Sequence, residues 1–133
     1  VEINEQELFD VAFKAMEHAY APYSNYTVGA SILCDDGKVY SGGNIENASY
    51  GLTNCAERTA IFKAVSEGAK EVRAIAIVNG TYEMSKPCGA CRQVMSEFMK
   101  ADAPVFLANN TNQYKEFKFK EILPLAFSDK DMD

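Results

Sequence analysis

A three-layer α/β/α sandwich around a mixed five-stranded sheet is the fold class predicted for these 133 residues. Three observations predict it. Five short runs, apolar or alternating, read as strands. Runs with helical periodicity fall between them, so strands and helices share one α/β architecture. The joins are of two kinds. Short turns near 35–37 and 109–112 return a strand antiparallel. Connections that contain a helix make right-handed crossovers.

Residues 4 to about 20 are expected to form the first helix. Leu8, Val11, Ala12, Ala15 and Ala19 make one apolar stripe, with Phe9, Phe13, Met16 and Tyr20 beside it. So wide a stripe predicts burial on two sides, one of them a sheet. Ala21-Pro22-Tyr23-Ser24 ends the helix, because proline disfavours helical geometry in the residue before it. Thr27 to Cys34 is the first strand, Asp35-Asp36-Gly37 the turn, and Lys38 to Ser41 the start of the second strand. Gly42-Gly43 is expected to break that strand, and Asn44 to Asn54 reads as a polar loop. A helix from about Ala56 to Glu67 turns Ala56, Ala60, Ile61, Ala64 and Val65 to one face, and Gly68 caps it. Arg73 to Val78 is nearly continuous apolar sequence, as suits a strand covered on both faces. The helix expected from about Gly89 to Lys100 points Cys91, Val94, Met95, Phe98 and Met99 inward. Val105 to Ala108 is a short buried strand and Tyr114 to Phe119 the last, alternating one. A short helix, Lys120 to Leu123, stops at Pro124. With no repeat, linker or low-complexity stretch, residues 1–133 are expected to be one domain.

Bulk composition narrows the function classes. Apolar residues make up 47 %, the usual globular level. Nineteen acidic against 13 basic residues give a net charge of −6, which argues against a phosphate backbone as partner. No apolar run approaches the ~18 residues of a membrane span. Val1, Glu2 and Asn4 lack the basic start of a secretory signal, so the expected location is cytoplasmic. Four cysteines in such a chain read as metal ligands or core residues rather than a disulfide set.

Three of those cysteines form a split constellation: Cys55-Ala56-Glu57, then Pro87-Cys88-Gly89-Ala90-Cys91. Three thiols can fill three positions around a zinc ion, and a site that leaves the fourth to water is catalytic in type. Glu57 lies close enough to the first ligand to reach that water without taking a metal position, as a proton shuttle must. The pattern therefore points to hydrolysis. Cys55 and Cys88 fall at the starts of two helices, and Cys91 shares a face with Cys88. Zinc with three thiolates carries a charge of −1, which opposes deprotonation of bound water. Two helix N-termini, each worth roughly half a positive charge, would offset it, and Arg58 and Arg92 beside the ligand segments could add to them. Blander readings stand beside these. Cys34, on a strand with no partner motif, reads as core, although a closed site with Cys34 as fourth ligand is an alternative. His18 reads as a surface or packing residue. Asn44 and Glu46 sit in a turn-rich segment where asparagine often only braces backbone, and Phe127 alone would be packing.

The same residues resemble a known family, the zinc-dependent cytidine deaminases, in its short, homotetrameric, free-nucleoside branch. The similarity covers nearly the whole chain. It runs from Tyr20-Ala21-Pro22-Tyr23-Ser24 through Val28-Gly29-Ala30, Gly43-Asn44-Ile45-Glu46-Asn47-Ala48, the two cysteine segments and Arg92-Gln93 to Leu123-Pro124 and Ala126-Phe127-Ser128. The resemblance implies a cytidine deaminase-like fold and one zinc per subunit on Cys55, Cys88 and Cys91. It implies attack of zinc-activated water on C4 of the pyrimidine. Glu57 then takes the water's proton, protonates N3 and helps expel ammonia. Asn44 and Glu46 match the pair that holds the ribose 3′-hydroxyl. The backbone amide of Ala56 matches the group that meets the base carbonyl. Phe127 matches an aromatic residue that a neighbouring subunit lays on the base, so the active sites would be composite and the homotetramer required. Two residues depart from the pattern. Tyr26 stands where this branch usually has a phenylalanine lining the nucleoside site, and its hydroxyl needs a partner if buried. Leu125 stands where a relative commonly has glycine.

The expected activity is hydrolytic deamination of cytidine and 2′-deoxycytidine, in pyrimidine salvage. A deaminase of nucleoside antibiotics such as blasticidin S shares the metal motifs but, in the known family, not the Asn-x-Glu pair seen at Asn44 and Glu46. A nucleic-acid editing deaminase would need a basic strand-binding surface and usually a histidine as first ligand. A non-enzymatic zinc-binding module would have no use for Glu57 beside the open position.

Overall fold

A computed structural model describes residues 2–111 and 113–125. Helix α1 spans Glu5–Met16, and its N-cap Asn4 accepts a hydrogen bond from the Glu7 amide at 3.1 Å. Its buried face is Leu8, Phe9, Ala12 and Ala15. The helix ends some four residues before the expected point near 20. There Tyr20 leaves the helical path to pair with Ile45: its N–H donates to the Asn44 carbonyl, and the Glu46 N–H donates to the Tyr20 carbonyl, each at 2.8 Å. Backbone pairing across the fold overrides local periodicity.

Strands β1 (Val28–Cys34), β2 (Val39–Gly43), β3 (Val72–Asn79), β4 (Pro104–Ala108) and β5 (Tyr114–Lys118) form one sheet in the order β2-β1-β3-β4-β5. β1 runs antiparallel to β2 and β3, β3 parallel to β4, and β4 antiparallel to β5. The sheet is mixed and five-stranded, as expected. Its single parallel pair is joined through helix α3 (Gly89–Phe98).

Gly42 and Gly43 do not break β2. They pair with Ala30 and Gly29, and the strand runs through them. Helices press on the sheet here from both faces. A Cβ on Gly42 would lie 2.6 Å from Thr59 Cγ2 of α2 (Ala56–Ser66), and one on Gly29 would lie 2.0 Å from the Ala12 carbonyl of α1. These glycines are contact points, not punctuation.

Two apolar layers result. Leu8, Phe9 and Ala12 of α1 pack with Leu33, Ala74, Ala76, Val78 and Phe106 on one face of the sheet. Ala60, Ile61 and Ala64 of α2 and Met95 of α3 pack with Ile32, Ile75, Ile77 and Val105 on the other. The short helix α4 (Phe119–Ile122) closes this second layer with Phe119 and Ile122. At the sheet margin, Lys63 of α2 donates from Nζ to the Ser41 carbonyl of β2 at 2.6 Å. The segment expected as a polar loop, 44–54, holds a 3-10 turn, Tyr50–Leu52, with Tyr50 and Leu52 exposed. No helix among the described residues is long and apolar enough to cross a membrane.

Candidate active site

The two cysteine segments converge. Cys55 is the N-cap of α2 and Cys88 the N-cap of α3, while Cys91 lies one turn into α3. The Sγ atoms of Cys55, Cys88 and Cys91 all lie within 4.8 Å of one another. Cys55 and Cys88 are 3.7 Å apart, and Cys88 and Cys91 are 3.2 Å apart. Thiolates on one zinc ion, at ~2.3 Å bonds in tetrahedral array, stand about 3.8 Å apart. The trio fits such an ion with a small opening of the Cys88–Cys91 pair, and soft sulfur donors suit zinc. Cys34 is no part of this group. It is fully buried in the core with Tyr40 and Val72, which supports the core reading over the closed four-cysteine site. His18 is exposed and also stands apart.

Electrostatics favour anionic sulfur here. Both helices direct N-terminal amides toward the cluster, and the Cys91 amide donates to Cys88 Sγ at 3.3 Å. Arg58 donates from Nη2 to Cys55 Sγ at 3.4 Å. Hydrogen bonding from the Cys91 thiol, then the Arg58 guanidinium, holds the Cys55 thiol well below its usual range. Within the trio, the bond to Cys55 and burial push the Cys91 thiol up. Arg92 does something else. Its Nε donates to the Pro87 carbonyl at 2.9 Å and its Nη1 to the Ile122 carbonyl at 2.7 Å. It ties the ligand segment to α4, so Arg58 is the arginine that reaches a ligand.

A cavity of about 200 Å³ opens beside the thiols, lined by Tyr26, Asn44, Cys55, Ala56, Glu57 and Cys88 among others. Glu57 is 4 % exposed. Burial pushes its carboxyl up to about 7, and the neighbouring Cys55 adds to the shift. Tyr26 forms part of the wall, its phenol raised by burial and by the charges of Glu57 and Glu83. Asn44 faces the cavity but is partly committed: its Oδ1 accepts from the Val28 amide and its Nδ2 donates to the Tyr26 carbonyl, each at 2.9 Å. Glu46 lines an adjoining cavity with Tyr23, Ser24, Tyr50 and Thr53, and Thr53 also lines the first. Its carboxylate accepts from the Ser24 hydroxyl and from the Tyr23 and Ser24 amides, which holds its pKa below the usual value. The structure thus brings Tyr26, Asn44, Ala56, Glu57 and the thiols together, with Glu46 next door. Phe127 lies outside the described residues. Ser85 and Lys86 also line the cavity, and sequence reading missed both. Their position just before Pro87-Cys88 was the available signal.

The family model of the cytidine and deoxycytidylate deaminase zinc-binding region matches residues 2–107. The chain belongs to the cytidine deaminase family. A family member from Halalkalibacterium halodurans is 53 % identical over 131 residues, covering 98 % of this chain and 99 % of the relative. One from Sporosarcina psychrophila is 48 % identical, covering 96 % and 93 %. The crystal structure of cytidine deaminase from Burkholderia pseudomallei superposes with a TM-score of 0.89 at 47 % identity, covering 94 % of this chain and all of that one. The protein is therefore an enzyme of this hydrolase family, and the three-thiol cluster lies within the matched zinc-binding region.

Proposed function

We propose that this protein hydrolyses cytidine and 2′-deoxycytidine to the uridine forms and ammonia, with one zinc per subunit, as a cytoplasmic enzyme of pyrimidine salvage. The observation that carries the reading is the meeting of three thiols and a buried, proton-ready Glu57 at one cavity. Zinc, held by Cys55, Cys88 and Cys91, would supply a bound water of lowered pKa.

The chain's own groups do the rest. Glu57 accepts the proton of the attacking water, delivers it to N3 of the pyrimidine, and serves again when the amine leaves as ammonia. A carboxyl poised near pH 7 can act in both directions. Ala56 is the first residue of α2, so its amide has no partner within the helix and can donate to the base carbonyl. Asn44 keeps one N–H beyond its bond to Tyr26, and together with Glu46 would hold the sugar 3′-hydroxyl. Tyr26 forms a wall for the nucleoside. Arg58 offsets the negative charge of three thiolates. Phe127 of a neighbouring subunit would complete each site in a homotetramer. Exposed Tyr20, Tyr23, Ile45, Tyr50 and Leu52 supply the apolar surface such an assembly uses.

The test is to follow ammonia release from cytidine, deoxycytidine and blasticidin S while zinc is measured in the same samples. Turnover of the first two and not the third is expected. Zinc-replete protein that turns over no cytidine rejects the reading.

A further inference from the structure

The 80–87 segment, which leads into Cys88, is anchored far more heavily than a connecting loop requires. β3 and β4 lie side by side and parallel, and each runs out through an Asn-x-Thr turn: Asn79-Gly80-Thr81 at the end of β3 and Asn109-Asn110-Thr111 just after β4. In both, the asparagine Oδ1 accepts from the threonine amide and hydroxyl. The two turns interlock. The Asn110 amide donates to the Thr81 carbonyl, and Asn109 Nδ2 donates to the Tyr82 carbonyl. The Gly80 amide also donates to the Thr27 carbonyl at the foot of β1.

Both asparagines are buried, and the turns differ in the partners of the side-chain N–H groups: Asn109 Nδ2 also meets Gln113 Oε1, at 3.1 Å. Asn79 is fully buried, and its Nδ2 donates to the Glu83 carbonyl and, at 2.7 Å, to Ser85 Oγ. Ser85, 1 % exposed, donates its own hydroxyl hydrogen bond to the Ala108 carbonyl at 2.6 Å. This relay fastens the segment to the end of β4 three residues before Cys88. Ser85 and Lys86 also form part of the cavity wall, as Tyr26 does. Cys88 has to meet Cys55, which arrives on a different helix; Arg92 ties α3 to the Ile122 carbonyl, and the point where the helix starts is set from upstream as well. Buried bonds upstream of a ligand fix that starting point.

We propose that Asn79 and Ser85 are positioning residues for the metal site: their buried relay sets where Cys88 stands against Cys55, and so governs how tightly zinc is retained. The inference rests on the zinc reading above. Zinc content of the unaltered protein is measured first, so that absence of zinc there rejects that reading rather than the role of the relay.

The test measures zinc loss from the loaded protein to a chromogenic chelator, together with the thiolate-to-metal absorption of the cobalt-loaded form. Ser85→Ala removes the link with little change of volume. Zinc loss is expected to accelerate by roughly tenfold to a hundredfold, the range for altered supporting shells, with a changed cobalt spectrum. Ser31→Ala is the control. It removes another buried serine bond, from Ser31 to the Leu8 carbonyl of α1 on the opposite face of the sheet, and should leave zinc loss as it was. If Ser85→Ala does not fold, Thr81→Val loosens the same segment and should show the same acceleration. Unchanged zinc loss and spectrum in the Ser85 variant, or in the Thr81 variant where it stands in, would overturn the proposal. So would equal acceleration in the Ser31 variant, which would mark a general loss of stability.

Discussion

Glu57 occupies a place few carboxyls tolerate, almost wholly buried beside sulfur that favours negative charge. Glu57→Gln keeps the shape and removes the proton traffic. It should retain zinc and lose at least ~10²-fold in rate, the scale of general acid–base catalysis; full rate with zinc in place rejects the shuttle. Its pH signature is separable in chelator-treated protein. The carboxyl's ordinary value is 4.5 and the fold raises it to about 7. Its contribution to stability is then full below 4.5 and lost as pH rises through 7. Denaturant midpoints of the metal-free protein should fall across that window relative to Glu57→Gln. Arg58 has a parallel test. Its bond to Cys55 predicts that Arg58→Ala raises the apparent pKa of activity and weakens zinc retention. An unchanged pH profile and zinc content would show that the helix ends suffice. These residues were legible because thiols and a carboxylate at fixed spacing have few other uses. Arg92 was less so: adjacency could not tell a guanidinium on a thiol from one spanning to the Ile122 carbonyl. The sequence allowed that Asn44 braces backbone, and it does, but which backbone was not legible, because the partners of Asn44 and Glu46 lie 16 to 23 residues away.

Among the elements, the helices and strands follow periodicity closely except where long-range contacts intervene. The first helix looked longer than it is because its stripe continues to Tyr20, which the strand-like pairing with Ile45 takes away. Gly42 and Gly43 looked like a break because the reason for them, the close approach of two helices, lies in distant segments. That reason is testable. Gly29→Ala sets a methyl against the Ala12 carbonyl and should cost about 1–3 kcal/mol or more by denaturant unfolding, as overpacking does; an unchanged midpoint would mean that α1 can retreat freely. The turn after α2 carries a pH-dependent tie. Asp35 accepts from the Lys70 and Glu71 amides, which hold its carboxyl below the ordinary 3.8. Its contribution is present above 3.8 and lost as pH falls through the lowered value. Asp35→Ala should flatten the acid limb of the stability profile below that pH, and an identical limb in the variant rejects the tie.

For the whole molecule, the composite-site reading makes a demand that no single chain can meet. Glu57→Gln and Phe127→Ala proteins, each inactive alone, should recover part of the activity when unfolded and refolded together. No recovery from mixed oligomers would place each site within one subunit. How copies would meet in the proposed homotetramer is constrained by the margins of the sheet. β2 and β5 are its edges, each only five residues long. The Lys63 ammonium already occupies the Ser41 carbonyl, and β5 presents the charged side chains of Lys115, Glu116 and Lys118. A bare edge is a template on which strand after strand can be laid, without a natural end. Blunting both edges steers recognition toward side chains such as Tyr50 and Leu52, whose surfaces saturate once matched. In the proposed homotetramer, the lysine at a sheet margin would thus help separate an assembly that closes from an aggregate that grows.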